Sequence, residues 1–317
     1  MSKILIIGAG AMGSAFSFPC IDNGHQVNIV GSPLEDTVIN ELSKNNFHHG
    51  LNCNLEKNIK FLKVDKLQEQ LKSKPDLIVI GVNSKGIDWI SKELESANNF
   101  KIPLLLLTKG LNIQNNKFTI LTDRFKNSEI TVVAGPCLAK DLSKRNKTAV
   151  IFANKTINKA NKISQLIQNN YYLVETSNDL IGIEVCAAIK NLYSMIIGSA
   201  IELNTAAFLL NKSIIEMNKF VRLLGGSEKS VYGLAGLGDL YVSSAGGRNS
   251  KMGQLLGKGH LYTEAKAKFM ANETIEGAEL AMEIGKKVLE EFSQKDLPLM
   301  HALIDAICNN KKFKIKW

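Results

Sequence analysis

Lys3-Ile4-Leu5-Ile6-Ile7-Gly8-Ala9-Gly10-Ala11-Met12-Gly13 is the stretch that decides the fold. Its first half is a short apolar run of the kind buried inside a parallel sheet. Its second half reads G-x-G-x-x-G. In a dinucleotide site each glycine has its own task. Gly8 makes the tight turn, Gly10 lets the backbone approach a pyrophosphate, and Gly13 lets the following helix lie close to the strand. The residues between, Ala11 and Met12, open that helix, whose first N–H groups and positive dipole end face the phosphates. The motif alone is common. Here it follows an apolar strand and opens a helical stretch, which is the context its mechanism requires.

Outward from this turn, a helix is expected from Ala11 to about Asn23, with Pro19 a place for a kink or early break. Asn23-Gly24 is a stop signal, and Gln26 to Val30 reads as the second strand. The residue that reads the ribose is expected at that strand's end, about 20 residues beyond the glycines. The chain offers Gly31-Ser32-Pro33 there, and then Glu35 and Asp36. No carboxylate stands at the tip, and the small Gly31-Ser32 end leaves room for a 2′-phosphate. The cofactor is therefore read as NADP or NAD, leaning to NADP, although Glu35 could swing back onto a ribose. The stretch Asn45 to Asn54, with His48 and His49, reads as a polar surface loop after a helix near Thr37–Ser43. Further strands are expected near Ile59–Val64, Asp76–Val82, Ile102–Leu107, Ile130–Ala134, Ala149–Ala153 and Tyr172–Thr176, with helices near Lys85–Glu95 and Lys117–Phe125. Asn83 and Lys109 close two of these strands at the edge where open α/β sheets gather ligands.

Strand–helix alternation over residues 1–177 is the doubly wound pattern. After it, helical periodicity takes over. The expected fold class is α/β, an N-terminal Rossmann-type doubly wound sheet (1–177) followed by an all-helical C-terminal domain (178–317). The segment from Asp179 to Leu203 is apolar nearly all round and reads as a buried central helix carrying one cation, Lys190. Gly246-Gly247-Arg248-Asn249 precedes a possible helix whose N-terminus favours phosphate, and the planar fork of Arg248 suits bidentate binding. The end, Lys311 to Trp317, reads as a basic tail.

At 317 residues the chain suits two domains, and 45% apolar with 22% charged residues is ordinary for a globular protein. The net charge of +9 is spread over lysines throughout the chain, without a basic stripe interleaved with aromatics, so nucleic acid is not an expected partner. The charge reads as solvated lysines whose field helps small anions arrive. Apolar runs are too short for membrane insertion, no leader pattern opens the chain, and five scattered cysteines point to reduced thiols in the cytoplasm. The oligomeric state stays open, a homodimer being the assembly considered.

Taken in order, Gly8–Gly13, Asn46-Phe47-His48-His49-Gly50, Thr108-Lys109-Gly110, Gly135-Pro136, Ala188-Ile189-Lys190-Asn191, Gly236-Leu237-Gly238-Asp239, Arg248-Asn249 and Ile275-Glu276-Gly277 resemble the NAD(P)-dependent glycerol-3-phosphate dehydrogenases nearly end to end. Each piece is short, and their order and spacing make the resemblance specific. It implies reversible reduction of dihydroxyacetone phosphate to glycerol 3-phosphate, a phospholipid precursor. It implies Lys190 as the catalytic acid–base group. Lys109, Gly135, Cys137, Asn191 and Asp239 would surround the substrate, with Arg248 and Asn249 taking its phosphate. Gly8, Gly10, Ala11, Met12, Gly13, Ser32, Asn83, Lys109, Ala139, Arg248 and Glu276 would meet the cofactor. No metal is implied.

The chain departs from that pattern in three places. Ala11-Met12 replaces a Ser-Trp pair common in bacterial members, Val30-Gly31-Ser32 replaces Trp-x-Arg, and Cys137 replaces a Ser. Two other functions fit the outline. A related reductase of a small oxo-acid such as ketopantoate would not need the Gly-Gly-Arg-Asn element. A non-catalytic NADP(H) sensor would be expected to lose Lys190 or its neighbours.

Overall fold

The computed structural model describes residues 1–97, 101–126 and 128–315. Contacts divide the chain into two units, residues 1–109 with 121–180, and residues 110–120 with 181–317.

The first unit is built on one eight-stranded sheet. Its strands are β1 (Lys3–Ile7), β2 (Gln26–Val30), β3 (Lys60–Leu62), β4 (Leu77–Ile80), β5 (Leu104–Leu106), β6 (Ile130–Ala134), β7 (Thr148–Ala153) and β8 (Tyr172–Ser177). They lie in the order β8-β7-β6-β5-β4-β1-β2-β3. All neighbours run parallel except β6 and β7. The order turns back at β1, with β2 on one side and β4 on the other, and this reversal is where open α/β sheets form their ligand crevice. β1 and β4 read as continuous apolar runs because both faces of the sheet are covered: Ile4 to Ile7 and Leu77 to Ile80 are all buried.

Helix α1 (Ala11–Asp22) follows β1 and is itself buried from Gly13 to Cys20. It runs unbroken through Pro19, which sits in its last turn. Phe16 packs edge-on against Tyr172, with centroids 5.8 Å apart. Helix α2 (Asp36–Asn45) follows β2 and ends on Asn46 in the left-handed region, φ 58°. The next stretch is not the surface loop expected. Phe47–His48 pairs with Cys53–Asn54 in a short antiparallel ribbon, and His48 is buried.

The second unit is helical after its start. The principal helices are α3 (Leu180–Gly198), α4 (Leu203–Leu223), α5 (Asp239–Ser244), α6 (Arg248–Gly257), α7 (Glu276–Glu291) and α8 (Pro298–Cys308). Among the described residues α3 alone is long and apolar enough to cross a membrane, and 94% of its apolar window is buried inside the fold. It is the central helix that its composition predicts. α6 crosses it at backbone contact distance. A Cβ on Gly253 would collide with Met195 O, and one on Gly198 would lie 2.8 Å from Ser250 Cα. Glu216 of α4 caps α8, accepting from the N–H groups of Leu299 (2.7 Å) and Met300 (3.0 Å). Burial pushes its carboxyl up to about 7, against the lowering effect of those two bonds and of the Tyr193 hydroxyl.

One expected helix is a hairpin. Lys117–Ile120 pairs antiparallel with Leu111–Gln114, followed by a 3₁₀ turn at Leu121–Arg124. Asn115 and Asn116 both adopt positive φ (49° and 58°), and two left-handed residues in succession make the tight turn that matches strand twist. The hairpin belongs to the second unit, with Phe118 edge-on to Phe220 of α4 at 5.3 Å. In the basic tail, residues 311–315 form neither helix nor strand, and 316–317 lie outside the described residues.

Candidate functional site

In the first unit the parallel strands deliver the expected residues to one edge. The C-terminal ends of β1, β2, β4, β5 and β6 lead into Gly8, Gly31-Ser32, Asn83, Lys109 and Gly135. Two glycines of the turn are demanded by space. Gly8 has φ +111°, and a Cβ there would lie 2.7 Å from the Gly81 carbonyl carbon. A Cβ on Gly13 would collide with the Gly8 carbonyl oxygen. Strand, turn and helix are thus in backbone contact, and α1 has Gly10 at its N-cap, with no side chain capping its first turn. Those uncapped N–H groups are the donors a pyrophosphate takes, so the cradle fits a dinucleotide.

Two further residues hold the turn, and neither was assigned from the sequence. His48 Nε2 bonds Ala9 O at 3.0 Å while Nδ1 accepts the Leu51 N–H at 3.2 Å, an arrangement that puts the ring proton on Nε2. Glu35 Oε2 accepts the Ala9 N–H at 3.0 Å and the Ser32 N–H at 2.7 Å. Ala9 is thereby gripped from both sides, through its carbonyl and its N–H. The premise behind the lean to NADP, that no carboxylate stands at the end of β2, does not hold.

Asn83 accepts the Gly86 N–H at 3.0 Å and so shapes the turn after β4. Thr108, beside Lys109, donates to Val82 O at 2.6 Å, tying the ends of β4 and β5 together. Gly135 has φ +117°, the Thr148 hydroxyl bonds Pro136 O, and Cys137 is half-buried just before the short helix that Ala139 opens.

In the second unit Lys190 of α3 is 7% exposed, and Asp239 at the start of α5 is 3% exposed. Lys190 Nζ donates to Asp239 Oδ1 and to Ser243 Oγ, both at 2.7 Å. A π-helical turn, Leu234–Gly238, delivers Asp239, and it can do so because a Cβ on Gly236 would strike Val231 O. Such single turns inside α-helical chain recur at functional sites. Ser243 stands four residues after Asp239, on the same helix face, and this spacing was the signal available for it.

A second cluster adjoins through α3. Asn191 donates to Glu276 Oε2 at 3.2 Å and accepts from Asn249 Nδ2 at 3.0 Å. Asn249 Oδ1 accepts the Gly277 N–H at 2.9 Å. Arg248 Nε donates to Thr274 O at 2.7 Å, and its Nη2 lies 3.3 Å from Glu276 Oε1. The predicted residues Lys190, Asn191, Asp239, Arg248, Asn249 and Glu276 thus form two linked clusters within one unit. The first is a buried amine bonded to a carboxylate and a hydroxyl. The second is a half-exposed cation at the first turn of α6, where an anion is favoured.

The family described as the NAD-dependent glycerol-3-phosphate dehydrogenase N-terminus matches residues 3–173, and its C-terminal counterpart matches 179–316. The chain belongs to this family. An Archaeoglobus fulgidus relative, an NADP(+)-dependent glycerol-3-phosphate dehydrogenase, is 32% identical, covering 83% of this chain and 82% of its own. A glycerol-3-phosphate dehydrogenase [NAD(P)+] from Halalkalibacterium halodurans is 27% identical over 98% of this chain and 91% of its own. The fold is that of the crystal structure of glycerol-3-phosphate dehydrogenase from Coxiella burnetii, with a TM-score of 0.85 at 22% identity, covering 98% of this chain and 96% of that one. As a member of the glycerol-3-phosphate dehydrogenases, the chain is an NAD(P)-dependent oxidoreductase.

Proposed function

We infer that the chain catalyses the reversible NAD(P)H-dependent reduction of dihydroxyacetone phosphate to glycerol 3-phosphate, with residues 1–177, apart from the 110–120 hairpin, as the cofactor domain and 178–317, together with that hairpin, as the substrate domain. The observation that carries the reading is the Lys190 amine, buried on an apolar helix and bonded at 2.7 Å to both Asp239 and Ser243. A buried lysine held by a carboxylate and a hydroxyl is fixed in place, as a proton donor must be. The bound nicotinamide supplies the hydride. Lys190 gives its proton to the substrate's carbonyl oxygen in reduction and takes the hydroxyl proton in oxidation. The ammonium also offsets the charge that develops on that oxygen.

Arg248 and Asn249, at the start of α6, bind the substrate phosphate, and binding energy there orients the reacting end. Freeing the guanidinium for a phosphate exchanges its contact with Glu276 for a doubly charged partner. Lys109, Gly135, Cys137, Asn191 and Asp239 complete the substrate's surroundings. Gly8, Gly10, Ala11, Met12, Gly13, Ser32, Asn83, Lys109, Ala139, Arg248 and Glu276 hold the cofactor. The product is a precursor of glycerophospholipids, and the place of action is the cytoplasm.

The test is nicotinamide absorbance with dihydroxyacetone phosphate, with unphosphorylated dihydroxyacetone and with ketopantoate. Dihydroxyacetone phosphate is expected to give the largest kcat/KM. Turnover of ketopantoate in its place would assign the chain to the oxo-acid reductases, and cofactor binding without turnover of any of the three would make it a sensor.

A further inference from the structure

Strand β2 is followed by Gly31, where a side chain would have to displace Ile39. A Cβ built on Gly31 lies 2.7 Å from Ile39 Cγ1 and 3.4 Å from Glu35 Cβ. With α2 packed where it is, the usual place for a ribose-reading acid is filled by Ile39 of that helix. The carboxylate arrives from four residues further along. Glu35 precedes the first turn of α2, yet its side chain makes no capping bond there. It turns away from its own helix, and Oε2 joins the Ala9 N–H of the glycine turn to the Ser32 N–H after β2. These are the two segments between which the adenosine ribose is read in this fold. The other oxygen, Oε1, receives no hydrogen bond from the described residues and lies 3.5 Å from where a Cβ of Gly10 would be. A half-buried carboxylate is thus fixed by one oxygen and presents the other over the glycine turn.

We propose that Glu35 makes this enzyme select NAD(H) against NADP(H), its Oε1 accepting the adenosine ribose 2′-hydroxyl and repelling a 2′-phosphate. The inference rests on the dinucleotide reading of the glycine turn. A hydroxyl has a proton to donate to a carboxylate, whereas a phosphate at neutral pH carries ~1.5–2 negative charges and offers acceptors. Ser32 contributes no cation to reverse that preference. The fixed carboxylate cannot swing aside without giving up two backbone N–H groups. This sets the chain apart from its archaeal relative, whose name specifies NADP(+).

Titration calorimetry of the full chain with ADP-ribose and with 2′-phospho-ADP-ribose isolates this contact, because neither ligand carries a nicotinamide or reacts. ADP-ribose is expected to bind at least tenfold more tightly, with the difference shrinking as salt is added. In Glu35→Gln the amide oxygen keeps the two backbone bonds and the charge is gone. The ratio should fall at least tenfold, chiefly through tighter binding of the phosphorylated ligand, with the melting temperature little changed. Equal or tighter binding of 2′-phospho-ADP-ribose by the parent chain overturns the proposal. So does a ratio unchanged in Glu35→Gln, which would make Glu35 a structural staple only. If neither ligand binds, the dinucleotide reading falls and this inference with it.

Discussion

Replacing Lys190 by Met removes the proposed proton donor while keeping the length of the stem, and the structure sets what else it removes. Asp239 is 3% exposed and shares Oδ1 between the Lys190 ammonium at 2.7 Å and the Ser243 hydroxyl at 3.4 Å. Removing one member of a buried ion pair costs about 3–5 kcal/mol. The Ser243 hydroxyl can turn further toward Asp239, so the lower end, about 3 kcal/mol, is expected. For units of this size that is a fall of roughly 6–12 °C in melting temperature. The rate should fall by about 10²–10⁴, the worth of a positioned acid–base residue.

The double variant Lys190→Met/Asp239→Asn separates the two losses. With both charges of the pair gone it should regain most of the melting temperature and none of the rate. Cofactor affinity, read by nicotinamide fluorescence on the same preparations, should stay near the parent's in both. Turnover of Lys190→Met within a few-fold of the parent would refute the assignment. So would recovery of rate in the double variant, which would trace the loss to the carboxylate rather than to the missing proton.

The other variants probe different parts of the account. Arg248→Ala should cost about 2 kcal/mol in kcat/KM for dihydroxyacetone phosphate, the low end for a truncated charge pair because the side chain is half exposed. It should cost far less for dihydroxyacetone, Lys should restore only part, and equal losses on both substrates would remove Arg248 from the phosphate site. Glu216 titrates at about 7 in the fold against 4.5 as a free carboxyl, so the folded chain holds this proton longer than the unfolded chain. Its contribution to stability is therefore lost as pH rises from about 4.5 to 7, by about 3 kcal/mol in all. Denaturant melts at pH 5 and 8 should show Glu216→Gln gaining on the parent at the higher pH, and a gap independent of pH would contradict the burial argument. Gly253→Ala drives a methyl into Met195 O and should part α6 from α3, destabilising the chain by about 1–3 kcal/mol. Because α6 carries Arg248 and Asn249, KM for the phosphorylated substrate should rise as well, and an unchanged melting temperature would show that the helices can slide.

What the sequence disclosed, and what it hid, follows from the range of the forces involved. β1, its glycine turn and the α3 core were legible because apolar runs and a fixed glycine spacing are local signals. Lys190 was legible as a cation on an apolar helix, and its neighbours through motif order. The Leu111–Ile120 hairpin was misread because its strand Lys117–Ile120 spans four residues, too few to show a period, and its signal was an Asn-Asn turn rather than the commoner Asn-Gly. His48 looked like a loop residue because nothing nearby in sequence reveals a bond to Ala9 across 39 positions. Glu35 stands four residues past the expected position in sequence, and only the packing of Ile39 against Gly31 shows why the acid is displaced along the chain.

The most direct test of the central claim is ³¹P NMR of the full chain incubated with dihydroxyacetone phosphate and reduced nicotinamide cofactor, with absorbance followed on the same sample. The account predicts that the dihydroxyacetone phosphate resonance is replaced by that of glycerol 3-phosphate, one equivalent for each cofactor oxidised, and that Lys190→Met leaves both signals nearly unchanged over the same time. Cofactor oxidation without glycerol 3-phosphate, or equal conversion by the Lys190 variant, would contradict it.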